Sequence, residues 1–144
     1  MDVENRRAAR LIFIDEFGRV LLVRYAHSAD GSTYWATPGG GLEEGETFEA
    51  AALREAAEEF GITSGSGNFL WEGTADIQYV SRRVHQRERF YEIKGEVNAD
   101  VQREHEREGI LETRWWTTIE LDSTNERVYP EELSLRLREI SKRT

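Results

Sequence analysis

Three glutamates in one stretch of the chain have the residue type and spacing to bind a divalent cation. Glu55, Glu58 and Glu59 stand at positions i, i+3 and i+4, a spacing that puts side chains on one stripe of a helix. Clustered carboxylates repel one another unless a cation lies among them, and Mg²⁺ and Mn²⁺ prefer such oxygen ligands. The stripe therefore predicts a metal site, although a glutamate-rich helix in an acidic protein is also typical of a solvated face.

A glycine-rich loop and a helix must place these carboxylates. The loop Pro38–Glu46 holds four glycines, which give the backbone freedom for a sharp turn. Thr47 suits an N-cap and predicts a helix over Phe48–Phe60. Gly61 suits the left-handed position after the helix. The side chains roughly opposite the carboxylates predict the face that a sheet covers: Ala50, Leu53, Ala57 and Phe60.

Loop and helix together satisfy one longer pattern, from Gly40 to Ile62. The pattern is G-x5-E-x7-R-E-U-x-E-E-x-G-U, in which U is apolar and Ala56 is small for its place. It resembles the signature box of the Nudix hydrolases, as do the preceding Pro38 and Gly39. The resemblance runs from about Ala8 to Ile140 and implies an α/β fold, a Nudix-type α/β/α sandwich with a mixed β-sheet.

The resemblance also implies the metal ligands and the catalytic residues. Mg²⁺, with Mn²⁺ as a substitute, would be held by Glu55, Glu58 and Glu59 and by the carbonyl group of Gly39. Glu55, Glu58 and Arg54 would carry the catalysis, with Glu55 as either a ligand or the general base.

Further residues are expected to support this centre. Arg54 and Glu46 should pair, hold the loop against the helix and so orient the carboxylates. Glu108 lies in a polar stretch before the last predicted strand and is a candidate for an extra metal ligand or for the base. Arg24 and Tyr79 are candidates for substrate binding, and Arg10 is a less favoured one.

The family hydrolyses a nucleoside diphosphate linked to another group, by attack of water on the diphosphate. Family members of the ADP-ribose type usually carry a proline downstream of the box. This chain has none between Pro38 and Pro130, so the resemblance disfavours ADP-ribose. Nucleoside triphosphates and dinucleoside polyphosphates are favoured, and RNA 5′ ends stay open. A non-catalytic nucleotide sensor is the alternative, which the complete box disfavours, and an isomerase acting on prenyl diphosphates is disfavoured by the absence of cysteine.

Composition limits the other classes of function. The 144 residues predict one domain over positions 1–144. The net charge is −9, from 28 acidic and 19 basic side chains, which argues against broad binding to nucleic acid or membranes. No segment has the length of a membrane span and the N-terminus lacks the apolar core of a signal peptide, so a cytoplasmic protein is expected. A homodimer is left open.

Alternation and turn residues predict the remaining elements. Two apolar runs, Ala8–Ile14 and Val20–Tyr25, predict a hairpin. Further strands are expected at 34–37, 69–80, 90–97 and 112–116, and a short turn at 119–121. A final helix is expected to begin at Pro130 and to bury Leu133, Leu137 and Ile140.

The segment Ser81–Arg89 is the most basic part of this acidic chain. One interpretation is a solvated strand or hairpin edge, where positive side chains discourage pairing with another strand. The other is an entrance that steers a polyphosphate towards the metal.

Overall fold

The computed structural model describes residues 2–27, 30–63, 65–97 and 110–143. In these ranges the order of elements is β1 (Val3–Ile12), β2 (Val20–Ala26), β3 (Thr33–Ala36), β4 (Gly39–Gly41), α1 (Phe48–Phe60), β5 (Gly67–Gln78), β6 (Arg83–Ile93), β7 (Ile110–Trp116), α2 (Thr118–Ser123), β8 (Val128–Tyr129) and α3 (Leu133–Arg143). None of the described helices is long and apolar enough to cross a membrane.

The strands form two sheets, each of four strands. The first has the order β4-β1-β6-β5, and the second has the order β7-β2-β3-β8. In the first, β1 is antiparallel to β4 and parallel to β6. In the second, β2 is antiparallel to both of its neighbours, and β3 is parallel to β8. Both sheets are therefore mixed, which confirms the predicted α/β class with mixed pairing.

Helices cover both sides of these sheets. On one side α1 buries Ala51, Ala56 and Phe60 in a core cluster that includes Leu11 of β1 and Val23 of β2. On the other side α3 contributes to a second cluster, whose buried members are Ile12, Val20, Leu22, Trp35, Trp71, Phe90, Trp116, Leu133 and Leu137. This layering confirms the α/β/α arrangement.

The predicted hairpin between the first two apolar runs is confirmed only at the ends of the runs. The two segments are joined by a tight turn, in which the carboxylate of Asp15 accepts hydrogen bonds from the backbone N–H groups of Phe17 and Arg19. Beside that turn the two segments pair over a short antiparallel stretch, through the bridge between Ile14 and Val20 and the bond from the Leu21 N–H group to the Phe13 carbonyl oxygen at 3.2 Å. β1 uses its two edges to pair with β4 and β6, so β2 belongs to the other sheet.

Helix α1 has the predicted ends but buries a different face. Thr47 Oγ1 accepts from the Ala50 N–H group, and Gly61 has φ 71° and ends the helix. Ala50 is exposed, however, and Leu53 and Ala57 are only partly buried. The buried face consists of Phe48, Ala51, Ala52, Glu55, Ala56, Glu59 and Phe60. The helix therefore turns two of its carboxylates towards the sheets rather than towards solvent.

The basic segment lies on an inner strand, so its interpretation as a sheet edge is wrong. β6 includes Arg83 to Arg89 and pairs with β1 on one side and β5 on the other. The guanidinium groups of Arg87 and Arg89 lie 2.6 and 3.0 Å from the carboxylate of Glu72 on β5. These two arginines thus share one carboxylate of the neighbouring strand.

Two predictions near the C-terminus need correction. The last helix begins at Leu133 instead of Pro130, after a turn in which the Leu133 N–H group donates to the Pro130 carbonyl oxygen at 3.1 Å. Leu133 and Leu137 are buried as predicted. The turn expected at 119–121 belongs to α2, whose capping box joins Thr117 and Glu120.

Candidate active site

Arg54 of α1 joins the glycine-rich segment to the helix. Its Nε and Nη2 atoms donate to the two carboxylate oxygens of Glu46 at 2.8 and 3.0 Å. Nη2 also donates to the Gly41 carbonyl oxygen at 3.2 Å. The hydrogen bonds to Glu46 raise the pKa of Arg54 and lower that of Glu46. The bidentate pair therefore fixes the end of the loop against the first turns of α1.

The same guanidinium group reaches two of the three clustered glutamates. Nη1 lies 3.1 Å from Glu55 Oε1 and 3.3 Å from Glu58 Oε2. Glu55 is 8% exposed, whereas the side chain of Glu58 is 59% exposed. Arg54 thus holds one buried and one exposed carboxylate on neighbouring turns of the helix.

Gly39 allows β4 to approach β1. Its φ is 137°, and a Cβ atom there would lie 2.1 Å from the carbonyl oxygen of Ala9. A φ in this region strains any side chain other than hydrogen. Because Gly39 opposes Arg10 in the β1–β4 register, the glycine sets how closely the loop can lie against the sheet.

Gly40 makes room for a carboxylate. A Cβ atom at this position would lie 2.6 Å from Glu55 Oε1. Helix α1 packs onto this strand, and Glu55 and Glu59 are both on its buried face. The backbone of β4 and the carboxylate of Glu55 therefore lie close together, and a side chain at position 40 would displace that carboxylate.

The donor atoms brought together here are suited to a hard divalent cation. Glu55, Glu58 and Glu59 offer carboxylate oxygens, and the absence of a side chain at Gly40 exposes backbone next to Glu55. Such oxygen donors are those that Mg²⁺ and Mn²⁺ prefer. Among the residues that the structure describes, no group of three His, Asp or Glu side chains converges to metal-binding distance.

The other predicted site residues lie in different places. Arg24 on β2 donates from Nη1 to Glu112 and from Nη2 to Thr33 Oγ1, at 3.3 and 3.1 Å. These contacts in the described part of the chain tie it to β7 and β3 rather than to α1. Tyr79 follows β5, with the Arg82 guanidinium 4.7 Å from its ring centroid. Glu108 lies outside the described residues.

A second set of polar residues, of which the sequence analysis named only Arg10, lies beside β4. Arg10 Nε donates to Glu88 Oε2 at 2.7 Å, and Arg10 Nη1 donates to the Thr37 carbonyl oxygen at 3.3 Å. The amide of the buried Gln86 donates to the same Glu88 oxygen at 2.9 Å. Burial lowers the pKa of Arg10, but the charge and hydrogen bond of Glu88, together with Tyr25 and Tyr34, outweigh this effect and raise the pKa overall.

Tyrosines of the second sheet face this ion pair. Tyr25 and Tyr34 are opposite each other in the β2–β3 register, with ring centroids 5.7 Å apart. Burial raises the pKa of both hydroxyl groups, and the charge of Arg10 lowers it. Tyr25 is also influenced by Glu59 and Glu55. Tyr25 therefore lies within electrostatic reach of both the helix carboxylates and Arg10.

One sequence signal could have revealed this set. Arg10 interrupts the apolar run of β1, and Glu88 stands two residues from Phe90 on the same face of β6. A charge on the buried face of a strand needs a partner. Only the parallel pairing of β1 with β6 shows which partner each charge has.

Comparison with known proteins finds a family model, relatives and solved structures that resemble this chain. The family model described as the NUDIX domain matches residues 4–137. The RNA pyrophosphohydrolase of Haemophilus ducreyi is 33% identical over 69 residues, which are 48% of this chain and 33% of that protein. The matched segment thus spans about a third of the length of that curated relative.

Two solved structures have the same fold. The MutT protein from Methanosarcina mazei Go1 aligns with a TM-score of 0.66 at 16% identity, covering 99% of this chain and 97% of that one. The MutT NUDIX hydrolase from Burkholderia pseudomallei aligns with a TM-score of 0.61 at 20% identity, covering 95% and 98%. At such low identity the likeness establishes the fold alone.

Proposed function

Because the chain belongs to the Nudix family, we propose that it is a divalent-metal-dependent hydrolase that cleaves a diphosphate linkage in a nucleoside diphosphate joined to another group. The observation that carries this proposal is the burial of Glu55 and Glu59 against the glycine strand, with Arg54 bonded to both the loop and the helix. An ordinary solvated glutamate face would have no reason to be buried in this way.

In the proposed reaction Glu58 and Glu59, with the carbonyl group of Gly39, would hold Mg²⁺ or Mn²⁺. The bound cation would neutralise charge on the phosphate oxygens and lower the pKa of the attacking water. Glu55 would either be a further ligand of the cation or, as the general base, accept a proton from that water while the water oxygen bonds to one phosphorus. The bond from this phosphorus to the bridging oxygen breaks, and two phosphate-ended products leave. Arg54 positions the carboxylates through its bonds to Glu55 and Glu46.

Nucleoside triphosphates and dinucleoside polyphosphates are the first substrates to test. Triphosphorylated RNA 5′ ends are a further candidate, supported by the name of the Haemophilus ducreyi relative. Arg24, as a group that could grip a phosphate, and Tyr79 are the candidates for substrate binding. A panel of these substrates with Mg²⁺ or Mn²⁺, scored for phosphate and pyrophosphate, would show which linkage is cut.

The decisive variant is Glu59→Gln. It keeps the shape of the side chain but removes the charge of a buried ligand, so turnover should fall by about 100-fold or more. Glu49→Gln is the matched control, because Glu49 is an exposed carboxylate in the first turn of the same helix. Circular dichroism should show both variants folded. Turnover by Glu59→Gln equal to that of Glu49→Gln would exclude the proposed metal site.

A further inference from the structure

The ion pair between Arg10 and Glu88 has no part in the proposed hydrolysis, yet it is built into the interior. The side chains are only 19% and 10% exposed. Removing two charges from water costs more than burying apolar residues of similar volume, so such a pair rarely adds net stability. The pair therefore calls for another role.

The pair lies next to the proposed phosphate-cleaving site. Arg10 opposes Gly39 in the β1–β4 register and donates to the carbonyl oxygen of Thr37, two residues before Gly39. Tyr34 belongs to the second sheet and is half-buried. Its ring centroid lies 5.7 Å from the ring centroid of Tyr25. A substrate with its diphosphate at α1 can thus extend across Tyr25 towards Arg10.

The chemistry of this ion pair favours binding of an uncharged heterocyclic ring of the substrate over binding of a second phosphate group. The 2.7 Å contact with Glu88 already neutralises Arg10, and the carboxylate would repel an anion placed beside it. Arg10 can only donate hydrogen bonds and an ionised Glu88 can only accept them. The bonds that Glu88 accepts from Arg10 and Gln86 both use Oε2, and Oε1 takes part in neither.

We propose that Arg10 and Glu88 recognise the Watson–Crick edge of a guanine base that packs against Tyr34. On that edge the acceptor O6 adjoins two donors, N1–H and the N2 amino group. O6 accepts from Arg10, and the two donors bind the Glu88 carboxylate. Adenine offers one donor and one acceptor there, so it satisfies the pair less completely. Enzymes commonly read bases in this way, by hydrogen bonds to that edge and stacking on aromatic rings.

This inference rests on the proposed function for the presence of a nucleotide, but its test does not need catalysis. Isothermal titration calorimetry of the intact chain in EDTA compares GMP, IMP and AMP as probes. GMP should bind at least about tenfold more tightly than AMP, since one well-placed bidentate contact discriminates by that much. IMP lacks the N2 amino group and should lie between them. Equal affinities for GMP and AMP, a preference for AMP, or no binding of GMP at millimolar concentration would each overturn the proposal.

A pair of double variants assigns the preference to these residues. Glu88→Gln alone would leave Arg10 buried without its carboxylate, which would impair folding. Arg10→Met with Glu88→Leu removes both charges together and should bring the GMP and AMP affinities within about threefold of each other. Arg87→Met with Glu72→Leu is the matched control, because it removes an ion pair of 2.6 Å whose two side chains are exposed, from the same sheet.

The control should keep the guanine preference of the natural chain. A preference that survives in the Arg10 and Glu88 variant would overturn the assignment. Hydrolysis of all nucleotides without a preference for one base would refute the guanine proposal and leave the proposed hydrolase function standing. Guanine-selective binding without any hydrolysis would remove the proposed function alone.

Discussion

Replacing Arg54 by alanine tests whether one guanidinium group holds the loop and the helix together. The change removes the two bonds to Glu46 and the bond to the Gly41 carbonyl oxygen. The side chains of Arg54 and Glu46 are only 20% and 13% exposed, so water replaces these bonds poorly. Bonds to charged groups contribute about 1.5 to 3 kcal/mol. We expect Arg54→Ala to lower the free energy of unfolding by about 3 kcal/mol, the upper end of that range, because Glu46 also loses its partner.

Urea denaturation at pH 7 measures this loss, and the melting temperature should fall by about 10 °C for a chain of this size. Arg54→Lys keeps the charge but cannot form the bidentate pair with Glu46, so the free energy of unfolding should fall by about half as much as in Arg54→Ala. The effect should depend on pH, because the bond from Arg54 lowers the pKa of Glu46. A lowered carboxyl pKa stabilises the fold above the ordinary pKa of glutamate, and this stability is lost as the pH falls through the lowered value. The difference in the free energy of unfolding between the natural chain and Arg54→Ala should therefore become smaller at acid pH.

The same variant tests the orientation of the metal ligands. Arg54 Nη1 bonds to Glu55 and Glu58, so its loss should also reduce the stabilisation that added Mn²⁺ gives in thermal melts. Arg19→Ala is the control, because it breaks a 2.7 Å ion pair in the β1–β2 turn and should leave the Mn²⁺ effect unchanged. A loss of less than about 0.5 kcal/mol in Arg54→Ala, within the range of ordinary surface substitutions, would refute the structural role. An unchanged Mn²⁺ effect would refute the orienting role.

Three further substitutions test the loop and the helix. Gly39→Ala places a Cβ atom 2.1 Å from the Ala9 carbonyl oxygen, at a φ of 137°. The free energy of unfolding, measured in urea, should fall by more than about 3 kcal/mol. A fall of less than about 1 kcal/mol would contradict the close contact between β1 and β4. In Gly40→Ala the new Cβ atom meets only the end of the Glu55 side chain, so the free energy of unfolding should change by less than about 1 kcal/mol. Turnover should fall, because the carboxylate of Glu55 is displaced. Full turnover would show that the position of Glu55 is unimportant. Thr47→Ala removes the N-cap bond and should lower stability by about 1 kcal/mol with turnover kept; no loss in urea would contradict the capping role.

The sequence by itself determined the local features of the site. Thr47 and Gly61 gave the ends of α1 because capping depends on a few adjacent residues. The fixed spacing of the box gave the family and the α/β class, and the family model over residues 4–137 agrees. The capping box at Thr117 and Glu120 was also readable locally, yet the segment was predicted as a turn.

Only the tertiary structure decided which surfaces are buried and which charges meet. Periodicity put Ala50 opposite the carboxylates, but the glycines of β4 let the helix turn Glu55 and Glu59 inwards. The contact of Arg10 with Glu88 joins residues 78 positions apart and arises from the parallel pairing of β1 with β6. Strand partners are selected by the free energy of the whole sheet, which no short window of sequence contains.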